Sequence, residues 1–131
     1  MTPDPEYLLD ASALLAAILN EAGGNQVDAL MPSAAISAVN LTEVITKLLK
    51  RVASPDHVLP ILKYLSLPVI AWDESSAHFS LQFAHLANQG FSLGDRACIT
   101  EAMRRPHTKI LTADKAWKDV PAISKRVVLI R

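Results

Sequence analysis

Short apolar segments alternate with helical patterns along the chain, and this order limits the folds that the chain can adopt. Buried strands are predicted over residues 7–10, 34–37, 67–72, 109–112 and 127–130. Helices are predicted over residues 12–19, 25–31, 40–52, 55–66, 74–88 and 93–105, with a short helical turn over residues 115–119. Strands that alternate with helices in this way are typical of a mainly parallel sheet wrapped by helices, so we predict an α/β fold.

Length and composition indicate one domain with its own core. The chain has 131 residues, of which 50% are hydrophobic, so we assign residues 1–131 to a single domain. Cys98 is the sole cysteine, which excludes an intrachain disulfide and fits a reducing cytosol. The acidic N-terminus lacks the basic start of a signal peptide, and the longest apolar run, residues 13–19, is too short to span a bilayer. We therefore expect a cytoplasmic protein.

The formal net charge is zero, but the charges are unevenly distributed. Residues 96–131 hold nine Lys or Arg against three acids, a net charge of +6, and residues 1–95 hold four against ten, a net charge of −6. This asymmetry permits a basic surface beside an acidic site. Taken alone, it is better explained by a solvated charged face.

Four acids lie at or near predicted junctions between strands and helices: Asp10, Glu43, Asp95 and Asp114. In an open α/β sheet the carboxyl ends of the strands share one edge, so acids that are distant in sequence can converge there. Converging carboxylates repel one another unless a cation lies between them. Mg²⁺ and Mn²⁺ prefer carboxylate oxygens. The pattern therefore predicts a divalent-metal site and a metal-dependent hydrolase that acts on phosphodiesters.

Each acid also has a purely structural explanation as part of a helix cap. Asp10 and Asp114 can cap the helical segments that follow them. Glu43 and Asp95 each lie three residues after an Asn or Ser, which is the spacing of a capping box. Asp95, however, lies on the apolar stripe of its helix, and Asp10 closes an apolar strand. A charge at such a position is costly unless it is paired or bound to a metal, so the metal-site interpretation is retained.

Four short motifs carry a resemblance that extends over nearly the whole chain. They are LLDASA at residues 8–13, SAVNLTEV at residues 37–44, SLGDRA at residues 92–97 and LTAD at residues 111–114. In these motifs and their order the chain resembles the PIN-domain family, and within it the VapC-type toxins of toxin–antitoxin pairs. The resemblance implies a PIN-like three-layer α/β/α sandwich with a mainly parallel five-stranded sheet.

The resemblance also implies an activity, a cofactor and partners. The implied activity is that of an endoribonuclease that depends on one or two Mg²⁺ or Mn²⁺ ions. The implied partners are RNA, a second copy of the chain and a small antitoxin that inhibits the enzyme. The implied site consists of the catalytic and metal-binding acids Asp10, Glu43, Asp95 and Asp114, the supporting hydroxyls of Ser12 and Thr112, and the additional acid Asp119.

Two basic residues directly follow predicted site acids. Arg96 and Lys115 are candidates to contact RNA phosphates, although surface charge explains them equally well. Three alternative functions stay open. The chain could be a PIN nuclease in RNA maturation, or a binding module whose metal site is too weak for turnover. It could also be a phosphoryl-handling domain with Asp73 as acceptor, although Ser12 stands where a phosphatase needs a second Asp.

Overall fold

One parallel sheet organises the structure, a computed structural model that describes residues 3–51 and 54–131. In this part of the chain the strands are β1 (Tyr7–Leu9), β2 (Ala34–Ser37), β3 (Val69–Ile70), β4 (Lys109–Thr112) and β5 (Val127–Leu129). They lie in the order β3-β2-β1-β4-β5, and every neighbouring pair is parallel. The predicted α/β fold with a five-stranded sheet is confirmed. The sheet is wholly parallel, where a mainly parallel one was expected.

Six α-helices are described: α1 (Ala11–Leu19), α2 (Gly24–Leu30), α3 (Ala38–Arg51), α4 (Pro55–Leu65), α5 (Glu74–Phe79) and α6 (Leu93–Met103). The helix predicted over residues 74–88 is α-helical only in its first part, because Ser80–Gln89 forms a 3₁₀ helix. Val52, the predicted end of the third helix, lies outside the described residues. No helix within the described ranges is both long enough and apolar enough to cross a bilayer.

Two apolar cores cover the two faces of the sheet. Successive strand residues point to opposite faces, and accordingly Leu8 and Ile110 belong to one core while Leu9 and Leu111 belong to the other. Helices α1 and α3 pack on the face of Leu9, and α6 packs on the face of Leu8. This arrangement gives the three layers that the α/β/α sandwich requires.

The order of the strands reverses between β1 and β4. From β1 the chain continues to β2 and β3 on one side of the sheet, and it later returns to β4 and β5 on the other side. In open parallel sheets the crevice at the carboxyl ends of two such strands is the usual place for a ligand. Asp10 directly follows β1 and Thr112 is the last residue of β4, so both lie at this position.

Candidate active site

Asp10 is the most enclosed of the predicted site acids, with only 4% of its surface exposed. Its Oδ1 accepts hydrogen bonds from the Ser12 hydroxyl at 2.6 Å and from the backbone N of Ala13 at 2.8 Å, so it caps α1. Its Oδ2 accepts a hydrogen bond from the Thr112 hydroxyl on β4. Burial raises the pKa of Asp10 to about 6; these three donors oppose the rise, and the charge of Asp95 adds to it.

The two hydroxyl residues of the motifs connect Asp10 to the loop after β4. The Ser12 hydroxyl also accepts a hydrogen bond from the backbone N of Ala113 at 3.0 Å. The Thr112 hydroxyl accepts one from the backbone N of Asp114 at 3.1 Å. The Ser12–Ala113 bond and the Thr112–Asp10 bond join residues about a hundred positions apart, and they hold the ends of β1 and β4 together around the buried carboxylate.

Glu43 is half-buried on α3 and faces the start of α6. Its Oε1 accepts a hydrogen bond from Nδ2 of Asn40 at 2.9 Å. Its carboxylate lies so close to the Cα of Gly94 that a Cβ at position 94 would overlap it. The capping box at the start of α3 does not involve Glu43, because the backbone N of Asn40 donates to the Ser37 hydroxyl instead. Glu43 is therefore held by a contact between α3 and α6.

Asp95 occupies the third position of α6 and is half-buried. It forms a reciprocal capping box with Ser92: the backbone N of Ser92 donates to Oδ2 of Asp95 at 3.0 Å, and the backbone N of Asp95 donates to the Ser92 hydroxyl at 3.1 Å. The capping role that was predicted from the spacing of Ser92 and Asp95 is therefore observed. The negative charges of Asp95 and Asp10 also interact, which places the two carboxylates in one electrostatic environment.

The charges of three predicted site acids act on one buried side chain, the thiol of Cys98. Burial raises the pKa of the Cys98 thiol well above its usual value, and the charges of Asp10, Asp95, Glu43 and Glu101 raise it further. Three of the four predicted site acids therefore lie within electrostatic range of one side chain. Cys98 itself is a buried core residue with a strongly suppressed thiolate, so it is not a nucleophile.

Asp114 lies two residues after Thr112, and its side chain caps the helical turn that follows. It is exposed and caps the 3₁₀ helix Lys115–Asp119, with its Oδ1 accepting a hydrogen bond from the backbone N of Ala116 at 2.9 Å. Asp114 is linked to Asp10 by two hydrogen bonds in sequence: its backbone N donates to the Thr112 hydroxyl, which in turn donates to Asp10. In this arrangement the carboxylate of Asp114 serves its own helical turn.

The remaining predicted site residues lie further towards the surface. Asp119 and Lys115 are both exposed, at the two ends of the same 3₁₀ helix. Arg96 is half-buried on α6, and its Nε has no hydrogen-bond partner among the residues that the structure describes. Asp73, the acceptor considered for a phosphoryl-handling domain, caps α5 and accepts hydrogen bonds from Ser75 and Ser76.

The chemistry of the donor set suits a hard divalent cation. Within residues 3–51 and 54–131, none of the predicted site acids takes part in an ion pair, so the buried carboxylate of Asp10 has no neutralising cation. In the same ranges, no three His, Cys, Asp or Glu side chains lie close enough together to hold a metal ion. The acids thus fit a metal by donor type and by their missing counter-charge. Asp10, Asp95 and Asp114 cap helices and Glu43 is bonded to Asn40, so the four side chains do not form a closed set of ligands.

Solved structures with the same architecture were found, although no protein-family model matches the sequence and no curated protein matches it significantly. A chain of the DNA-bound VapBC complex from Salmonella typhimurium has a TM-score of 0.75 and 19% identity, over 98% of this chain and 100% of that chain. A chain of a toxin–antitoxin complex from Klebsiella pneumoniae has a TM-score of 0.73 and 20% identity, over 95% and 98%.

A third structure agrees with these two. A chain of VapBC2 from Rickettsia felis, bound to a fragment of promoter DNA, has a TM-score of 0.71 and 17% identity, over 94% of this chain and 97% of that chain. The chain has the VapC-like PIN fold. The architecture that the four sequence motifs implied is therefore confirmed over nearly the whole length of the VapC-like chain.

Three residues of this VapC-like chain become prominent only in the structure. Asn40 and Gly94 hold the carboxylate of Glu43, and Glu101 is fully buried beside the site. Asn40 lies one helical turn before Glu43, and Gly94 is a glycine inside the first turn of a helix. Both patterns were visible in the sequence, but neither indicates by itself that α3 and α6 meet there.

Proposed function

We propose that the chain is a divalent-metal-dependent endoribonuclease and the toxin of a VapBC-type pair. The observation that carries the proposal is the buried, unneutralised carboxylate of Asp10 at the reversal of strand order, with the charge of Asp95 acting on it. A buried charge without a counter-ion is costly, and a bound cation removes that cost. The fold shared with chains of VapBC complexes supports the same assignment.

The proposed site would hold Mg²⁺ or Mn²⁺ through Asp10, Glu43, Asp95 and Asp114. A bound ion of this kind supplies a water of lowered pKa and neutralises charge on the phosphate oxygens. The Ser12 and Thr112 hydroxyls donate to the two oxygens of Asp10 and fix the orientation of its carboxylate.

The proposed site also predicts how cleavage depends on pH and which residues contact the RNA. In the metal-free protein the Asp10 carboxyl has a pKa of about 6, so it is mostly ionised at neutral pH and protons compete with the metal ion in mild acid. We therefore expect metal binding, and with it cleavage, to weaken as the pH falls. Lys115 is exposed on the 3₁₀ helix after Asp114, and Arg96 is half-buried next to Asp95. We propose that both contact the phosphates of the RNA strand. Asp119, at the far end of the helix, is proposed as an additional acid.

The proposed partners are an antitoxin and a second copy of the chain. Each of the three structural neighbours comes from a VapBC or toxin–antitoxin complex, which supports an antitoxin partner. Leu93, beside the site, is 63% exposed, and Leu81 is 78% exposed, so apolar surface is present for a protein to cover. We propose that the toxin acts in the cytoplasm, where RNA and antitoxin are both present.

RNA cleavage by matched variants tests the activity. Asp10→Asn and Asp95→Asn are each expected to lower kcat/KM with Mg²⁺ or Mn²⁺ by about 10²–10³-fold, because each removes a negative ligand while keeping its shape. Asp28→Asn, an exposed acid on α2, is the control and should keep wild-type activity. Wild-type cleavage by a folded Asp95→Asn protein would refute the assignment of Asp95.

Growth measurements separate toxicity from RNA maturation. Inducible expression without a partner should arrest growth, and the Asp10→Asn variant should abolish the arrest. A nuclease that cleaves in vitro but leaves growth unaffected would favour a maturation enzyme. A folded protein inactive with every metal and RNA would favour the binding module. A receiver domain is disfavoured by the strand order β3-β2-β1-β4-β5, since receivers have the order 2-1-3-4-5.

A further inference from the structure

We propose that Asn40 and Gly94 together form a seat that fixes the carboxylate of Glu43 between α3 and α6, and that both act as positioning residues for the metal site. This inference rests on the proposed function. It adds two residues outside the predicted acid set, neither of which is among the hydrogen-bond donors to Asp10 in the described part of the chain. The seat is defined as the Asn40 carboxamide together with the Cα and carbonyl of Gly94.

Asn40 has the features of a fixed linker. It is 1% exposed, and its Nδ2 donates both to Oε1 of Glu43 and to the carbonyl oxygen of Gly94, each at 2.9 Å. Its Oδ1 accepts a hydrogen bond from the Ser37 hydroxyl at 2.6 Å. Because every hydrogen-bonding group of the side chain is used, the carboxamide cannot rotate without leaving a buried polar group unsatisfied. Its orientation is therefore set by β2, α3 and α6 together.

Gly94 supplies the space in which the Glu43 carboxylate lies. Its backbone has no positive φ, so the conformation of the chain does not require glycine at this position. Glycine is also less favourable than alanine inside a helix, so α6 itself does not favour it. A Cβ at position 94, however, would overlap both oxygens of the Glu43 carboxylate. The absence of a side chain is explained by the space that Glu43 needs.

The seat joins the two helices that carry predicted metal ligands. Glu43 lies on α3, and Asp95 directly follows Gly94 on α6. Fixing Glu43 against the residue before Asp95 limits the distance between the two carboxylates. Partners that orient metal ligands typically contribute about 10–100-fold to metal affinity. We expect the seat to contribute an effect of that size.

Gly94→Ala is the sharpest test, because its effects on folding and on metal binding have opposite directions. Alanine favours the helix, and the atoms that it displaces belong to the flexible end of Glu43, so the unfolding midpoint of the metal-free protein should be unchanged or raised. The affinity for Mn²⁺, measured by titration calorimetry, should fall by about 10–100-fold. Wild-type Mn²⁺ affinity in this variant would overturn the proposal.

Asn40→Ala should reduce Mn²⁺ affinity in the same range, with some loss of stability. Thr108→Val is the matched control for that loss. It removes a buried hydroxyl that donates a hydrogen bond of 2.8 Å to the carbonyl oxygen of Pro5. This bond lies at the amino ends of β1 and β4, at the opposite end of the strands from Asp10. The control should lower the unfolding midpoint without changing the affinity for Mn²⁺. An equal loss of Mn²⁺ affinity in both variants would show that the effect of Asn40 is only structural.

Double variants show whether the seat acts through Glu43. In a Glu43→Ala background, Gly94→Ala should cause no further loss of Mn²⁺ affinity; an undiminished loss there would contradict the proposal. In metal-free protein, urea unfolding of Asn40→Ala, Glu43→Ala and their combination should give non-additive midpoints. This second cycle is independent of the metal. If the wild type binds no Mn²⁺, the proposed function fails, while additive midpoints would overturn the seat separately.

Discussion

Two buried carboxylates, those of Asp10 and Glu101, both raise the pKa of the Cys98 thiol, but the protein treats them differently. Glu101 on α6 is fully buried, and its Oε1 receives the Arg104 guanidinium at 3.0 Å and that of Arg105 at 3.8 Å. Within the described part of the chain, Asp10, directly after β1, receives hydrogen bonds only from hydroxyl and backbone donors. One acid is neutralised by the fold, and the other is buried without a cation.

Under the proposed function, this difference separates an acid of the scaffold, Glu101, from an acid of the metal site, Asp10. A buried acid that serves only stability needs a fixed positive charge near it, because an unpaired buried charge costs several kcal/mol. Arg104 and Arg105 provide that charge at Glu101, and the Ser76 hydroxyl adds a hydrogen bond at 3.3 Å. At Asp10 the same requirement is left open, as expected for a position where the missing charge comes from a bound ion.

The largest expected effect on stability comes from replacing Glu101, and replacing Asp10 provides the contrast. Glu101→Ala should lower the free energy of unfolding by about 3–5 kcal/mol, because it leaves the two arginines without their buried partner. Asp10→Asn should leave the metal-free protein as stable as the wild type or more so at pH 8, because it removes an unpaired charge. Urea unfolding at fixed pH measures both, and similar losses in the two variants would remove the distinction.

The pH dependence of stability should differ in sign from that of an ordinary ion-paired acid. The pKa of Asp10 is raised from 3.8 to about 6 in the folded state, so the folded protein binds more protons between about pH 4 and pH 6. The contribution of Asp10 therefore falls as the pH rises through that window. Its full size is on the order of 3 kcal/mol, at about 1.4 kcal/mol per pKa unit.

The difference in unfolding free energy between wild type and Asp10→Asn, followed from pH 4 to pH 8 without metal, isolates this contribution. Asp73 does not interfere, because hydrogen bonding from the backbone of Ser76 lowers its pKa to about 2, below the window. A difference in unfolding free energy that stays constant with pH would mean that burial does not raise the pKa of Asp10.

Binding of a divalent ion should offset the destabilisation that the buried charge of Asp10 causes. Mn²⁺ at a hundred times its dissociation constant should raise the free energy of unfolding by about 2.7 kcal/mol. Excess EDTA should remove the gain, and the Asp10→Asn variant should show far less of it. A crystal soaked in Mn²⁺ should give an anomalous peak in contact with Asp10. An equal gain in both proteins would place the ion elsewhere.

The smallest expected effect concerns the surface around the site. Lys115→Ala should weaken RNA binding only a few-fold and should reduce the slope of log affinity against log salt by about 1, because it removes one phosphate contact. Lys125→Ala, an exposed lysine before β5, is the control. Identical salt slopes in the two variants would assign Lys115 to the solvated surface.

Local pattern predicted much of the fold because parallel strands constrain it strongly. The bounds of β2 and β4 agree with the prediction, since both are short apolar segments between clear helix signals. β3 is shorter than predicted, because only Val69 and Ile70 pair with β2 at the edge of the sheet. The meeting of Asp10 with Thr112 also follows from sequence, because the ends of neighbouring parallel strands share an edge.

Features that depend on how the helices pack could not be predicted from local sequence patterns. Helical spacing from Asp95 predicts that Thr100 and Glu101 lie away from the apolar stripe of α6, yet both are fully buried. They are covered because the α5 region packs against α6, where Ser76 contacts Glu101. The seat of Glu43 was missed for the same reason, since Asn40 and Gly94 are 54 residues apart and meet only when α3 packs on α6.

The position of β4 has a consequence for how the protein is made. β4 is inserted beside β1, in the middle of the sheet, although it comes from the last quarter of the chain. A nascent polypeptide that already contains Asp10, Glu43 and Asp95 therefore still lacks the strand whose threonine orients the first of them. Under the proposed function, we expect a nascent chain that ends before β4 to lack the proposed metal site and to be inactive while it remains on the ribosome.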